Sequence, residues 1–386
     1  MSLVFPPKSK CDLICLSHLR WNFVYQRPQH MMTRCARDRR VFFVEEPEYR
    51  TGITPHLRIT AAGDVTVIVP QLPANAAGYA EHYQRELLAE LIQHADIQDY
   101  VLWYYTPMAL SFSRHLTPAA IVYDCMDELS AFKNAPAALR DLDAELMRRA
   151  SLVLTGGQSL YEARRHSHAN IHAFPSSVDV HHFAQARRIE TDPLDQATIP
   201  RPRLGFFGVI DERMDLALLE GVAVARPDWQ LVLVGPVVKI DPTTLPQRPN
   251  IHYLGSRTYE ELPSYIAGWD VALLPFARNE ATRFISPTKT PEYMAAGKPA
   301  VSTSIPDVVR PYGQQGLVRI ADTVPDFVRA CTAALYEDHV SLNRQADAFL
   351  RHTSWDGTWS RIRVLLDAAI RNDSSPITEA GNAAAV

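Results

Sequence analysis

The chain is short of several things, and each shortage removes a class of explanation. No apolar run approaches the roughly 20 residues that a bilayer crossing needs. The N-terminus has no basic stretch followed by a long apolar core, so a cytosolic protein is expected, with attachment to a membrane surface left open. Cysteine is scarce, with five in 386 residues, at positions 11, 15, 35, 125 and 331. The number is odd and no pair stands at metal-site spacing with histidines behind it. Cys11 and Cys15, four apart in an expected strand, read as core thiols in a reducing compartment. Neither sign of charge is in excess. The formal net charge is −4 with acids and bases mixed, which gives no field to draw the whole chain to nucleic acid. No short internal repeat is present. A Gly-x-Gly-x-x-Gly fingerprint is also missing. The first expected strand leads into Ser17-His18 instead, which argues against a dinucleotide oxidoreductase.

What is present is a 47% hydrophobic chain of a length that suits two to three domains. Short apolar runs alternate with helical segments. Asp12–Leu16, Arg40–Val44, Val101–Tyr104, Ala119–Tyr123, Leu152–Thr155 and Ile171–Phe174 read as strands. Pro28–Asp38, Ala80–His94, Pro107–His115, Ala137–Arg149 and Gln158–His166 read as helices between them. Leu57–Ile59 and Val65–Val69 flank Ala-Ala-Gly-Asp and predict a hairpin. Ala184–Pro202 is charged, carries three prolines and reads as an interdomain linker. The alternation restarts at Leu204–Val209 and continues through Leu231–Val234, Ile251–Leu254, Val271–Leu274, Ala300–Thr303 and Val318–Ile320. Helices are expected at Asp215–Ala225, Tyr259–Ala267, Thr290–Ala296 and Pro325–Tyr336. A last helix, Trp355–Ile370, would bury Trp359, Ile362, Val364, Leu365 and Ala368. The tail Asn372–Val386 has a disordered composition. The expectation is an α/β protein of two Rossmann-like, doubly wound domains, residues 1–190 and 201–352, with a terminal segment 353–371. Ligands bind such sheets beyond the carboxyl ends of the strands, so two domains face to face would make a deep cleft.

Six segments fall at those ends. In the run Ile285-Ser286-Pro287-Thr288-Lys289-Thr290-Pro291-Glu292-Tyr293, Ser286 and Thr288 can cap the next helix, whose start is an anion site. Lys289 adds a charge, and Glu292, one turn on, can accept hydrogen bonds from a ribose diol. The set suits a nucleotide diphosphate. Leu204–Asp215 ends a strand at Gly208, where backbone can approach a ligand closely. Arg213 follows, and Asp211 or Asp215 can cap the helix after it. Asn250–Arg257 places Tyr253 in a strand end. Phe174–Phe183 carries adjacent His181 and His182, which do not converge on one side as metal ligands would. Ser17–His30 is a loop of Arg, His and aromatic residues, including His18, Arg20, Trp21 and Arg27. Tyr123–Glu128 sets Asp124 and Asp127 at a strand end, as candidate general bases. Asp141-Leu142-Asp143 has a metal-binding spacing but falls within an expected helix, so no metal is expected.

The run at 285–299 resembles the donor-binding motif of GT-B glycosyltransferases, particularly those like glycosyltransferase family 4, which read Ser-Pro-x-Lys-x-x-Glu-Tyr-x-Ala-x-Gly-x-Pro. The family often carries another Glu eight residues upstream, where this chain has Phe284. The resemblance covers about residues 10 to 370 and is stronger in the second half. The N-terminal loop looks like a branch that includes teichuronic acid and exopolysaccharide transferases.

The resemblance implies a nucleotide-sugar donor, favouring a UDP-sugar, bound by Gly208, Arg213, Tyr253, Ser286, Pro287, Thr288, Lys289 and Glu292. It implies a glycan, lipid-linked or small-molecule acceptor met by Arg20, Trp21 and Arg27. Asp127, then Asp124, and His18 are the catalytic candidates, with no cofactor beyond the nucleotide sugar. It also implies that the terminal helix crosses back to the first domain. Two other classes stay open: a nucleotide-sugar epimerase of the same fold, which would isomerise the donor without an acceptor, and a non-catalytic binding partner, which the missing upstream Glu motivates.

Overall fold

A computed structural model describes residues 11–133 and 135–371; the expected disordered tail at 372–386 lies outside them. The first sheet contains β1 (Asp12–Leu16), β2 (Val41–Val44), β3 (Glu48–Arg50), β4 (His56–Ala62), β5 (Val65–Pro73), β6 (Tyr100–Tyr104), β7 (Ala120–Cys125), β8 (Leu152–Thr155) and β9 (Ile171–Ala173). Its order is β3-β5-β2-β1-β6-β7-β8-β9, with β4 added antiparallel to β5. Every residue of β1, β2, β6, β7 and β8 is buried, because helices cover both faces of a parallel sheet. Successive side chains divide between those faces. Ile14, Leu16, Phe42 and Val44 enter one core, and Leu13, Cys15, Val41 and Phe43 enter the other.

The second sheet contains β10 (Arg203–Phe207), β11 (Gln230–Val234), β12 (Ile251–Gly255), β13 (Val271–Leu274), β14 (Ala300–Ser302) and β15 (Arg319–Ile320), in the order β12-β11-β10-β13-β14-β15. In both sheets the strand order reverses beside the first strand, between β1 and β6 and between β10 and β13. Crevices open at such switch points, and the loops after β1 and β10 occupy them.

Two expectations need correcting. The segment Ala184–Pro202 is strapped to the second domain and is not a free linker. Arg187 donates to the carbonyls of Ala295 (2.7 Å) and Met294 (3.1 Å) at the end of the helix Lys289–Ala295. Gln196 is fully buried, accepting from the Trp269 indole at 2.9 Å and donating to the Tyr265 carbonyl at 3.0 Å. The terminal helix, Trp355–Ile370, is also turned relative to the expected face. It buries Trp355, Trp359, Ile362, Leu366 and Ala369, while Val364 is 53% exposed. The 4-3-4-3 spacing from Trp355 makes the longer apolar stripe, and the helix lays that stripe on the first domain's core. Arg34 and Arg37 of the first domain hold its Asp356.

Candidate active site

The carboxyl ends of the two sheets enclose a cavity of about 630 Å³, a volume that suits a bound small molecule. The first domain lines it with the loop Trp21–Arg27, Met126, Asp127, Gly156 and Ser176; the second with Gly208, Arg213, Gly235, Ser256–Leu262, Ser286–Lys289 and Glu292.

Lys289 and Glu292 lie in the first turn of the helix Lys289–Ala295, whose Tyr293 hydroxyl accepts from the Phe207 N–H at 3.2 Å and so ties it to β10. Thr288 holds the N-cap position without a side-chain bond to the helix backbone, its side chain bonding the Glu292 carboxylate instead, and Ser286 offers its carbonyl to the Ser176 hydroxyl at 3.3 Å, so neither caps as expected. The Lys289 stem crosses Gly208, where a Cβ would stand 2.6 Å from Nζ. Gly208 has φ +124°, and Gly235, with φ +148°, has the Gly208 carbonyl where its own Cβ would go. The glycine pair brings the ends of β10 and β11 together under the lysine. Nζ lies 5.4 and 5.8 Å from the Phe206 and Phe207 ring centres. Burial lowers the Lys289 pKa to about 8, against the pull of Glu292. Burial raises the Glu292 carboxyl to about 7, with Lys289 drawing it back. Glu292 is 7% exposed, and its Oε2 is buried without a hydrogen-bond partner. Such an oxygen is costly to leave unmet and points to a missing donor.

Arg213 is held by Asp211 through Nε (3.0 Å) and Nη2 (2.7 Å) and lies 5.8 Å from the Phe132 ring of the first domain. Asp215, not Asp211, caps the following helix, accepting from the Leu218 N–H at 2.8 Å. Tyr253 lies outside the cavity lining, with its hydroxyl on the Pro246 carbonyl at 3.1 Å; the residues just beyond its strand, from Ser256, line the cavity instead.

The residues expected to meet an acceptor separate. Trp21 lines the cavity, packed edge-on against Phe43 and donating its backbone N–H to Glu45. Arg20 turns away to Glu45 (2.9 Å) and the Glu46 carbonyl (2.6 Å). Arg27, 1% exposed, pairs with fully buried Asp124 at 3.0 to 3.1 Å and donates to the Phe174 carbonyl at 2.7 Å. That pair is committed to itself at the base of the cleft, and burial, offset by Arg27, raises the Asp124 pKa. Asp124→Ala should therefore cost about 3–5 kcal/mol of stability by stranding a buried guanidinium, whereas Arg27→Met/Asp124→Leu should recover most of it. Denaturant midpoints of the two variants check this.

Asp127 does line the cavity; burial raises its carboxyl, Arg213 draws it back and Asp211 raises it again. His18 is neutral, lowered to about 4 by burial and then by Lys239, and its Nδ1 is buried without a partner, but it is not in the cavity wall. His182 stacks on Tyr259 (4.1 Å, 10°), and Tyr25 packs on Tyr259 at 4.6 Å with its ring tilted by 33°. This three-ring column across the cleft has no signature in sequence spacing. Gly156 and Gly157, also unforeseen, were signalled by a Thr-Gly-Gly run directly after a strand. Asp143 accepts from the Tyr123 hydroxyl and pairs with Arg164, a structural role. Among the described residues no group of three or more His, Cys, Asp or Glu could hold a metal ion, and no helix is long and apolar enough to cross a membrane.

Two doubly wound domains meeting at a cleft of strand ends, with a terminal helix returning to the first, define the GT-B fold. Residues 201–337 of the chain match the family model of glycosyl transferases group 1. The chain is 23% identical over 283 residues to TuaH of Bacillus subtilis, a glycosyltransferase assigned to teichuronic acid biosynthesis, covering 67% of this chain and 70% of that protein. Among solved structures it resembles sucrose-phosphate synthase from Thermosynechococcus elongatus, with a TM-score of 0.73, 12% identity, and 94% and 100% of the two chains covered. It also resembles HepE of Anabaena, solved in complex with UDP and glucose, with a TM-score of 0.64, 15% identity, and 93% and 100% covered.

Proposed function

We propose that the protein transfers a sugar from a UDP-sugar to a glycan or lipid-linked acceptor without a metal at the diphosphate. The observation that carries this is the unpartnered, buried Oε2 of Glu292 beside Lys289 in one cavity, with Asp127 on the opposite wall. Glu292 accepts hydrogen bonds from the ribose hydroxyls. Lys289 and Arg213 meet the charge that develops on the departing diphosphate, the task an ion would otherwise perform. The anomeric carbon loses its bond to the diphosphate oxygen and gains one to the acceptor oxygen, whose proton passes to Asp127. The UDP bound to HepE supports uridine, and the teichuronic acid assignment of TuaH supports a cell-envelope glycan. Phe23 (48% exposed) and Tyr25 (38%) at the cavity rim suit a bulky acceptor, including one presented at a membrane surface. The test is a panel of UDP-sugars incubated with glycan and lipid-linked acceptors. UDP release that requires an acceptor is expected; donor isomerised with no acceptor present would make the protein an epimerase instead.

The proposed donor site also sets a pH dependence. Glu292 binds ribose when ionised, so affinity falls as pH drops through about 7. Lys289 binds phosphate when charged, so affinity falls as pH rises through about 8. Calorimetric UDP affinity should peak between these values. Glu292→Gln should flatten the acid limb down to about pH 6, where a phosphate's own second ionisation takes over. An acid limb unchanged in that variant would remove Glu292 from the site.

A further inference from the structure

The two halves of the proposed reaction centre lie on different domains, Asp127 on one and Lys289 with Glu292 on the other. Something must hold them in register. One contact between them lies at the helix Gln158–Arg164 of the first domain. A helix start leaves backbone N–H groups without intrahelical partners, and here the N-cap residue is Gly157, which has no side chain to offer. The missing acceptor comes from the other domain. Asp307, 5% exposed in the turn after β14, accepts from the Ser159 N–H at 2.9 Å.

Gly157 shows how closely the domains meet there. A Cβ on it would collide with the Asp307 carboxylate and stand 2.9 Å from Cβ of Ser286. Arg310 adds a two-pronged pair to Glu162 on the same helix, at 3.0 and 3.2 Å. Phe284 packs against the first domain's core. The strip Phe284–Ser286 ends three residues before Lys289, and Gly157 directly follows cavity-lining Gly156. One patch of contact therefore fixes both walls of the cavity relative to each other.

We propose that Asp307 is a positioning residue: it caps a helix of the acceptor domain from the donor domain and so locks the two in the arrangement that transfer requires. It touches no reacting group. The role rests on the transfer reaction proposed above, but the lock can be read without it. Small-angle scattering on the full chain, with and without UDP, should give a compact wild type with a radius of gyration of roughly 21 Å. Asp307→Ala should expand it by about 1 Å or more, and Gly157→Ala, which attacks the same contact from the other domain, should do likewise. Both variants should bind UDP within about threefold of wild type while kcat falls about tenfold or more, because misplacement by an ångström is costly in rate. Circular dichroism confirms that each is folded. A wild-type radius of gyration retained in both folded variants overturns the lock, whatever their activity. Loss of UDP binding at an unchanged radius would make Asp307 part of the donor site. If the variants expand but no UDP-sugar is turned over by wild type, the lock stands and the transfer reading fails.

Discussion

Glu292→Ala is expected to weaken UDP binding by about 10- to 150-fold, the equivalent of the 1.5–3 kcal/mol carried by hydrogen bonds to a charged group. Two effects combine. The ribose loses its acceptor, and Lys289 loses the carboxylate that holds its charge against burial and Arg213. The fold should tolerate the change, since the Glu292 Oε2 makes no hydrogen bond within the protein. Titration calorimetry on the folded variant, with Lys289→Met beside it, checks this. Affinity unchanged in both would move the nucleotide elsewhere.

Asp127→Asn is expected to lower kcat by about 10²- to 10⁴-fold, the range for removing a general base, with UDP affinity held within about twofold. Asparagine keeps the shape and hydrogen-bonding reach but takes no proton. Burial, tempered by Arg213, raises the carboxyl's affinity for a proton, which suits a group that receives one from an acceptor hydroxyl. Asp124→Asn has a different signature: its loss should appear in stability before rate, because Asp124 faces Arg27 and not the cavity. A kcat loss under about tenfold in Asp127→Asn would hand the proton to the departing diphosphate and point to a retaining reaction.

Much of the fold was legible because its signal is local. β8 and β13 are continuous apolar runs, and Ala80–His94 and Trp355–Ile370 have helical period, so their bounds follow from spacing. The strand Glu48–Arg50 was not legible: it has three residues, no apolar core and a place in the sheet only because β5 continues past β2. The helix His339–Leu350 buries only Ala346 and Leu350, too narrow a stripe to stand out. Lys289, Glu292 and Asp127 line the cavity, a placement legible because the loops after the strands of a doubly wound sheet gather at one edge. Arg20, Arg27 and Asp124 fall in the same loops, yet their partners, Glu45 and each other, lie 25 and 97 residues apart in the chain. Spacing cannot show that. The Asp307 contact, across 148 residues, is further still beyond a local pattern.

The metal-free donor site is tested by calorimetric titration of the wild-type protein with UDP and with GDP, in EDTA and then with magnesium restored. UDP should bind in EDTA, GDP should bind more weakly, and magnesium should change little. Binding of neither nucleotide under either condition would contradict the donor site, and UDP binding only with magnesium would contradict the part assigned to Lys289 and Arg213.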